Sequence, residues 1–318
     1  MDLLEGFFRF LMELFATLLG LLIGLVLLVK GADEMIKSAV QIAIRYKIPQ
    51  SIVGALYIGF GTSAPELVAS TIAALEGDLS LAIGNIVGSN IANSLLVIAV
   101  LFITLDKKFK AKLDLNLTAS KWMLAITLLF LSFYFFMNSF TRILGVVLLC
   151  SMIVIIRSLA KQESEIDYEI EKTKTDKLTG RALLSITATI YGSSLVVDNA
   201  IELADIFNIS SLVVGIAVVA LGTSLPEVVS SLAAARMGKP GIVFGNIFGS
   251  NLFNIGLVGG TSILISPGEL DFNINIQLLV LLIATLFVIV ISRQVITKNK
   301  FLGIVILTLY LLFIISLF

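Results

Sequence analysis

The sequence predicts an all-α polytopic membrane protein, with ten transmembrane helices arranged as two inverted-topology five-helix repeats. Three observations carry this expectation. The chain of 318 residues is 58% hydrophobic and only 14% charged, with a mean hydropathy of +1.05. Soluble domains carry about 25% charged residues, so this chain has too little polar surface to coat a globule. Its apolar runs number ten, each long enough to cross about 30 Å of hydrocarbon. Finally, residues 52–94 match residues 213–255 without a gap at an offset of 161, with identity at 19 of 43 positions. Chance does not produce such a match; it is a duplication.

The runs fall at 13–36, 50–75, 81–105, 119–138, 141–161, 182–204, 211–237, 242–266, 274–292 and 300–317. The first is read as a retained span, because MDLLEGFFRFLMELF places acids ahead of the apolar run where a signal peptide has a basic region. Basic residues orient the rest. With the N-terminus outside, the inside loops collect Arg45 and Lys47, the lysines at 107, 108, 110, 112 and 121, then Arg157, Lys161, Lys172, Lys174, Lys177 and Arg181. Arg236, Lys239, Arg293, Lys298 and Lys300 complete 18 of the 22 Lys and Arg residues. The outside loops carry Glu76, Asp78, Glu202, Asp205, Glu269 and Asp271. This bias places both termini outside a cell membrane, and one missed helix would scramble it.

The only long polar stretch, QESEIDYEIEKTKTDKLTG at 162–180, divides the chain into a first five-helix repeat at 1–161 and a second at 181–318. It reads as a solvated cytoplasmic linker, too short for a folded sensor domain. Five is odd, so the second copy enters the membrane upside down. Inverted repeats of this kind are a feature of secondary transporters, whose substrates bind near the midplane where the repeats meet. Composition removes other classes. There is no histidine and one cysteine, Cys150, expected to pack between helices. With no metal-ligand cluster and no nucleophile–base pair, no enzyme activity and no cofactor are expected. The formal net charge is zero, and no nucleic-acid partner is expected; the bilayer is the partner. A cation channel would need a continuous pore, usually built by an oligomer, whereas a repeat pair alternating access can work as a monomer.

The duplicated motifs are GTSAPE at 61–66 and GTSLPE at 222–227, followed by GNIVGSNIAN at 84–93 and GNIFGSNLFN at 245–254. Pro65 and Pro226 lack an N–H, so the carbonyls of Gly61 and Gly222 lose their helical donors. An unpaired carbonyl in lipid is costly unless something satisfies it, and a cation can. Thr62, Ser63, Thr223 and Ser224 add hydroxyl oxygens, while Glu66 and Glu227 add charge without an intramembrane basic partner. Asn85, Ser89 and Asn93, and again Asn246, Ser250 and Asn254, recur every four residues as polar stripes. Beside them Gly84, Gly88, Gly245 and Gly249 offer smooth surfaces for close helix approach. Ser70 and Ser231 also repeat, and back-bonding to their own helices explains them. Lys30, Asp33, Glu34, Lys37 and Asp198 do not repeat in kind and read as snorkelling or local ion pairs; Trp122 reads as an interface anchor. The shared donors are hard oxygens. They suit Ca2+, which takes six to eight oxygens, and equally several Na+ ions, or protons on the two carboxylates.

In these residues the sequence resembles the cation/Ca2+ exchanger superfamily, most closely its prokaryotic sodium/calcium exchanger branch, whose alpha-repeat signature is GTS-PE followed by GN--GSN--N in both halves. The resemblance implies an antiporter of Ca2+ and Na+ with ten helices. Helices two, three, seven and eight would form the site, and helices one and six would slide across them. It implies Glu66 and Glu227 as shared Ca2+ and Na+ ligands, with Ser63, Ser89, Ser224 and Ser250 helping to bind Na+. The carbonyls of Thr62 and Thr223 would face the ions, and those of Gly59 and Ala220 would fall at Na+ positions. Members of this branch often hold Asp at one of the positions occupied here by Asn93 and Asn254. Two neutral residues leave two strong carboxylates and keep a H+/Ca2+ antiporter as the alternative. The GNA-E motif of the dedicated proton/calcium branch is absent, and so is the long regulatory loop of animal exchangers, so no regulatory domain is expected.

Overall fold

The computed structural model describes residues 2–104, 117–137, 139–161, 175–206, 220–270, 274–293 and 299–316. The basic loop at 107–112, most of the 162–180 linker, Asp271, Lys298 and the 211–219 part of the seventh predicted helix lie outside the described residues. What is described is helical, apart from a single antiparallel bridge in which Phe140 and Gly268 exchange backbone hydrogen bonds of 2.8 and 2.9 Å.

The first helix, α1, runs Asp2–Tyr46, far beyond the predicted 13–36. Lys30, Asp33, Glu34 and Lys37 interrupt the hydrophobic run but break no helix. The chain stops only at Lys47, where φ is +53°, with Pro49 close behind. At 1.5 Å per residue, 45 residues make a rod of about 68 Å, more than twice the hydrocarbon thickness. The second predicted helix is broken. It comprises α2 (Gln50–Val53), a π-helical turn Gly54–Ile58, α3 (Gly59–Thr62) and α4 (Ala64–Leu75), the last bent by 50° from the segment before it. Next come α5 (Leu79–Thr104), α6 (Leu117–Met137), α7 (Arg142–Ala160) and the long α8 (Thr175–Ile206). The second half contains α9 (Ala220–Thr223), α10 (Leu225–Arg236) and α11 (Pro240–Phe253), then a π-helical stretch Asn254–Gly259. It ends with α12 (Gly260–Ile265), α13 (Asn275–Ser292) and α14 (Lys300–Ile315). Among the described residues six helices are long and apolar enough to span, or seven counting the bent segment as one.

The duplication reappears as local geometry. The breaks at Ser63 (φ −83°, ψ 6°) and Ser224 (φ −87°, ψ 0°) are alike. Both following helices end in one Schellman turn: Gly77 (φ +85°) and Gly238 (φ +66°) take the left-handed position. Asp78 N–H then donates to Ala73 and Lys239 N–H to Ala234, each at 2.9 Å. Glycine is required there because a Cβ strains at positive φ. All of these pairs stand 161 residues apart.

The exterior is apolar, and the interior, though largely apolar too, encloses charged and polar groups. Phe7, Phe8, Phe15, Phe136, Leu184 and Phe301 are exposed, while Glu66, Glu227, Asn93 and Asn254 are fully buried. An exterior this apolar is stable only against lipid. Helices α5 and α11 are the most enclosed, and α1 and α8 lie side by side at the periphery. Gly192 is pressed against the Leu28 backbone, and a Cβ on Gly31 would stand 2.7 Å from Thr189. Cys150, expected between helices, is exposed on α7. Trp122, read as an interface anchor, donates its indole N–H to Ser158 Oγ at 3.0 Å, tying α6 to α7.

Candidate functional site

Each proline sits in the first turn of its helix, at α4 and at α10, where a missing N–H is harmless. The carboxylate that follows it therefore emerges beside an open helix end, in the interior. Glu66 and Glu227 come from opposite halves and are completely buried. Ser63 of the first half donates to Glu227 Oε1 at 3.4 Å, so one motif completes the other. Across the same junction Thr62 Oγ1 donates to Asn246 Oδ1 at 3.3 Å and lies 3.2 Å from Ser250 Oγ.

Close approach of the halves comes from Gly59 and Gly249. A Cβ on Gly59 would lie 2.8 Å from the Ser250 nitrogen, and one on Gly249 would strike the Ala55 carbonyl. Gly84 and Gly88, expected to serve this purpose too, face open space within 4 Å. The Gly59 carbonyl accepts from Ser63 N–H at 3.1 Å and from Thr62 and Ser250 hydroxyls at 3.4 Å.

Among the described residues, buried polar atoms without a hydrogen-bond partner occur at Ser38, Gln41, Asn90, Asn251 and Gln277, but most are on the motif residues. Both carboxylate oxygens of Glu66, Oε2 of Glu227, Oγ of Ser224, and both amide ends of Asn93 and Asn254 are buried without a hydrogen-bond partner. Buried polar groups normally find partners, so this grouping marks a place where something else supplies them. Thr223 is buried beside Ser224, Ser89 donates weakly to Asn85 Oδ1 at 3.5 Å, and Ala220 opens α9. Among the described residues no three His, Cys, Asp or Glu side chains cluster. A cation here would be held by two carboxylates plus neutral oxygens, a donor set suited to Ca2+ or Na+ and unsuited to soft metals.

Three features were not read from the sequence. Ser70 and Ser231, expected to bond back to their helices, accept from the amides of Asn85 (2.9 Å) and Asn246 (3.0 Å). Those two asparagines thus brace the motif helices rather than face the site alone. The signal was present, since both pairs recur at the offset of 161. The carbonyl of Gly222, expected to be free for a cation, accepts from Ser193 Oγ of α8 at 2.9 Å. Asn251 of α11 donates to Ser94 of α5 at 2.9 Å, a further tie between the halves. Glu34 does form a local pair, taking Lys37 at 3.4 Å and the guanidinium of Arg181 across to α8.

A buried centre with two carboxylates and neutral oxygens in an apolar helical protein has a donor set that suits hard cations. Comparison with known proteins makes this specific. The sodium/calcium exchanger protein family matches residues 16–159 and 177–318. The inner membrane protein YrbG of Escherichia coli (strain K12) is 34% identical over 275 residues, covering 81% of this chain and 82% of its own. The sodium/calcium exchanger MaX1 of Methanosarcina acetivorans is 28% identical, covering 94% and 97%. A solved structure of the sodium-calcium exchanger NCX_Mj, soaked with 2.5 mM Na+ and 0.1 mM Ca2+, superposes with a TM-score of 0.80 at 30% identity, covering 95% of this chain and 99% of that one. The chain belongs to the sodium/calcium exchanger family, in the prokaryotic branch of the cation/Ca2+ exchanger superfamily. It is a membrane antiporter of cations, not a member of an enzyme class.

Proposed function

We propose that the protein exchanges Ca2+ for Na+ across the cell membrane by alternating access at the site between Glu66 and Glu227. The observation that carries this reading is the cluster of unpartnered buried oxygens on both carboxylates, Ser224, Asn93 and Asn254. Glu66 and Glu227 are the shared ligands; Ser63, Ser89, Ser224 and Ser250 add hydroxyls for Na+. The carbonyls of Thr62, Thr223, Gly59 and Ala220 supply neutral oxygens, and the amides of Asn93 and Asn254 complete the cage. Two carboxylates balance one Ca2+ or two Na+, and the same oxygens cannot serve both loads at once. Exchange follows from that mutual exclusion. Ten helices in two inverted repeats, 1–161 and 181–318 with the 162–180 linker inside and both termini outside, place the site near the midplane. The long pair α1 and α8 then slides across it to expose one face at a time, and a single chain suffices.

A second reading, H+/Ca2+ antiport on the same two glutamates, is favoured by the neutrality of Asn93 and Asn254. Radioactive Ca2+ uptake into proteoliposomes separates the two. An outward Na+ gradient is expected to drive uptake and an outward proton gradient is not. Uptake driven only by protons would reassign the glutamates as proton carriers.

A further inference from the structure

One helix, α8, touches both helix breaks, and it touches them differently. At the first break it presents Ile186, whose Cγ1 lies 3.1 Å from where a Cβ on Gly61 would stand. At the second it presents Ser193, whose hydroxyl donates to the Gly222 carbonyl at 2.9 Å in a buried setting. Seven residues separate the two, so they share one face of α8, about 10.5 Å apart along its axis. The Gly222 carbonyl is the one that Pro226 deprives of a helical donor, and it precedes Thr223 and Ser224 of the site. The position related to Ser193 by the offset of 161 is Ala32, which has no hydroxyl. Among the described residues this grip on a break carbonyl is not repeated in the first half, where the polar tie to α8 lies before the break: Tyr57 Oη donates to the Ala182 carbonyl at 3.0 Å. Because α8 is packed on α1 through Gly192 and Gly31 and paired with it through Arg181 and Glu34, a hold on α8 is a hold on both long helices.

We propose that Ser193 is a positioning residue that latches α8 to the second helix break and so favours the conformation seen here. Any slide of α8 along the breaks must part the Ser193–Gly222 hydrogen bond, which is directional. The Ile186–Gly61 contact at the first break is apolar and lets the surface pass, so on that side the polar hold comes from the Tyr57–Ala182 hydrogen bond farther along the helix. Loss of the hydroxyl leaves the carbonyl unpaired in this conformation and shifts the distribution toward the other one. One net hydrogen bond corresponds to a shift of roughly 2- to 10-fold. The effect on transport rests on the exchange reading above; the latch itself does not.

The test uses the full chain in lipid nanodiscs, as wild type, Ser193→Ala and Ser193→Thr, with hydrogen exchange read by mass spectrometry. Ser193→Ala is expected to raise amide exchange across 223–230 by roughly 2- to 10-fold, with no change across 62–69, while Ser193→Thr keeps the wild-type pattern. No change at 223–230, or an equal rise at both breaks, overturns the latch. In proteoliposomes sampled from each side, Ser193→Ala is expected to move the apparent KM for Ca2+ in opposite directions on the two faces, and Ser193→Thr to restore it. Movement in the same direction on both faces, or a fall in maximal rate alone, marks a structural lesion and overturns the positioning role. Absence of Na+-driven uptake in the wild type would instead refute the exchange reading, with the exchange pattern still deciding on the latch.

Discussion

At the scale of single residues, the centre is defined by two buried carboxylates that form no salt bridge among the described residues. Glu66 and Glu227 are buried with three of their four carboxylate oxygens unbonded. Such an arrangement is stable only when a cation or protons supply what the protein withholds. Glu66→Gln or Glu227→Gln removes half the negative charge available to a bound Ca2+; leaving a buried charge without its counter-charge costs about 3–5 kcal/mol. Ca2+ uptake is expected to fall by about a hundredfold or more, with the purified variants still folded by circular dichroism. Wild-type flux in either variant would remove the residue from the site. Charge counting gives a second expectation. Two carboxylates make exchange of two Na+ for one Ca2+ electrically silent, so wild-type uptake should ignore a valinomycin-set potential. Asn254→Asp adds a third carboxylate and calls for one more Na+. Its uptake should become voltage-dependent, with one charge per cycle worth about 2.3 kcal/mol per 100 mV.

Elements decide how closely these residues meet. The π-helical turn at Gly54–Ile58 and α3 lie against α11, and the contact depends on glycines at specific points, not on a continuous stripe. Gly249→Ala drives a methyl into the Ala55 carbonyl, and Gly59→Ala into the Ser250 backbone. Neither neighbour is a flexible side-chain tip, so each is expected to cost about 1–3 kcal/mol and to lower the melting temperature in detergent. Gly84→Ala and Gly88→Ala meet nothing within 4 Å. They should be neutral or stabilising by up to about 1 kcal/mol, since alanine is the better helix former. A loss of stability in Gly84→Ala and Gly88→Ala equal to that in Gly249→Ala would show that the stripe as a whole packs. The sequence grouped Gly84 and Gly88 with Gly245 and Gly249 because spacing reveals a helix face but not what lies opposite it.

For the whole molecule, the testable property is inversion. The turns after α4 and α10 share their hydrogen bonds and their left-handed glycine, yet an inverted duplication puts them on opposite sides of the membrane. Glu76 and Arg236 are both exposed beside those turns. On a Cys150→Ala background, Glu76→Cys should react with a membrane-impermeant maleimide from outside intact cells. Arg236→Cys should react only after the membrane is opened. Labelling of both from one side would exclude the inverted arrangement.

A helical membrane protein, its duplication, the two helix breaks and the pair of acids beside neutral oxygens were all legible in the residues alone. These follow from composition, from proline's missing donor and from identities at a fixed offset, all of which are local properties. The sequence underestimated α1, because charged residues interrupt hydropathy without interrupting a helix. Only the tertiary structure decided which groups pair. Ser70 and Ser231 turn from their own helices to Asn85 and Asn246, Ser193 takes the Gly222 carbonyl, and Gly84 and Gly88 face open space. A hydroxyl or a glycine has the same identity whatever stands across from it. Its partner is set by how the helices cross, and that depends on the packing of the whole chain.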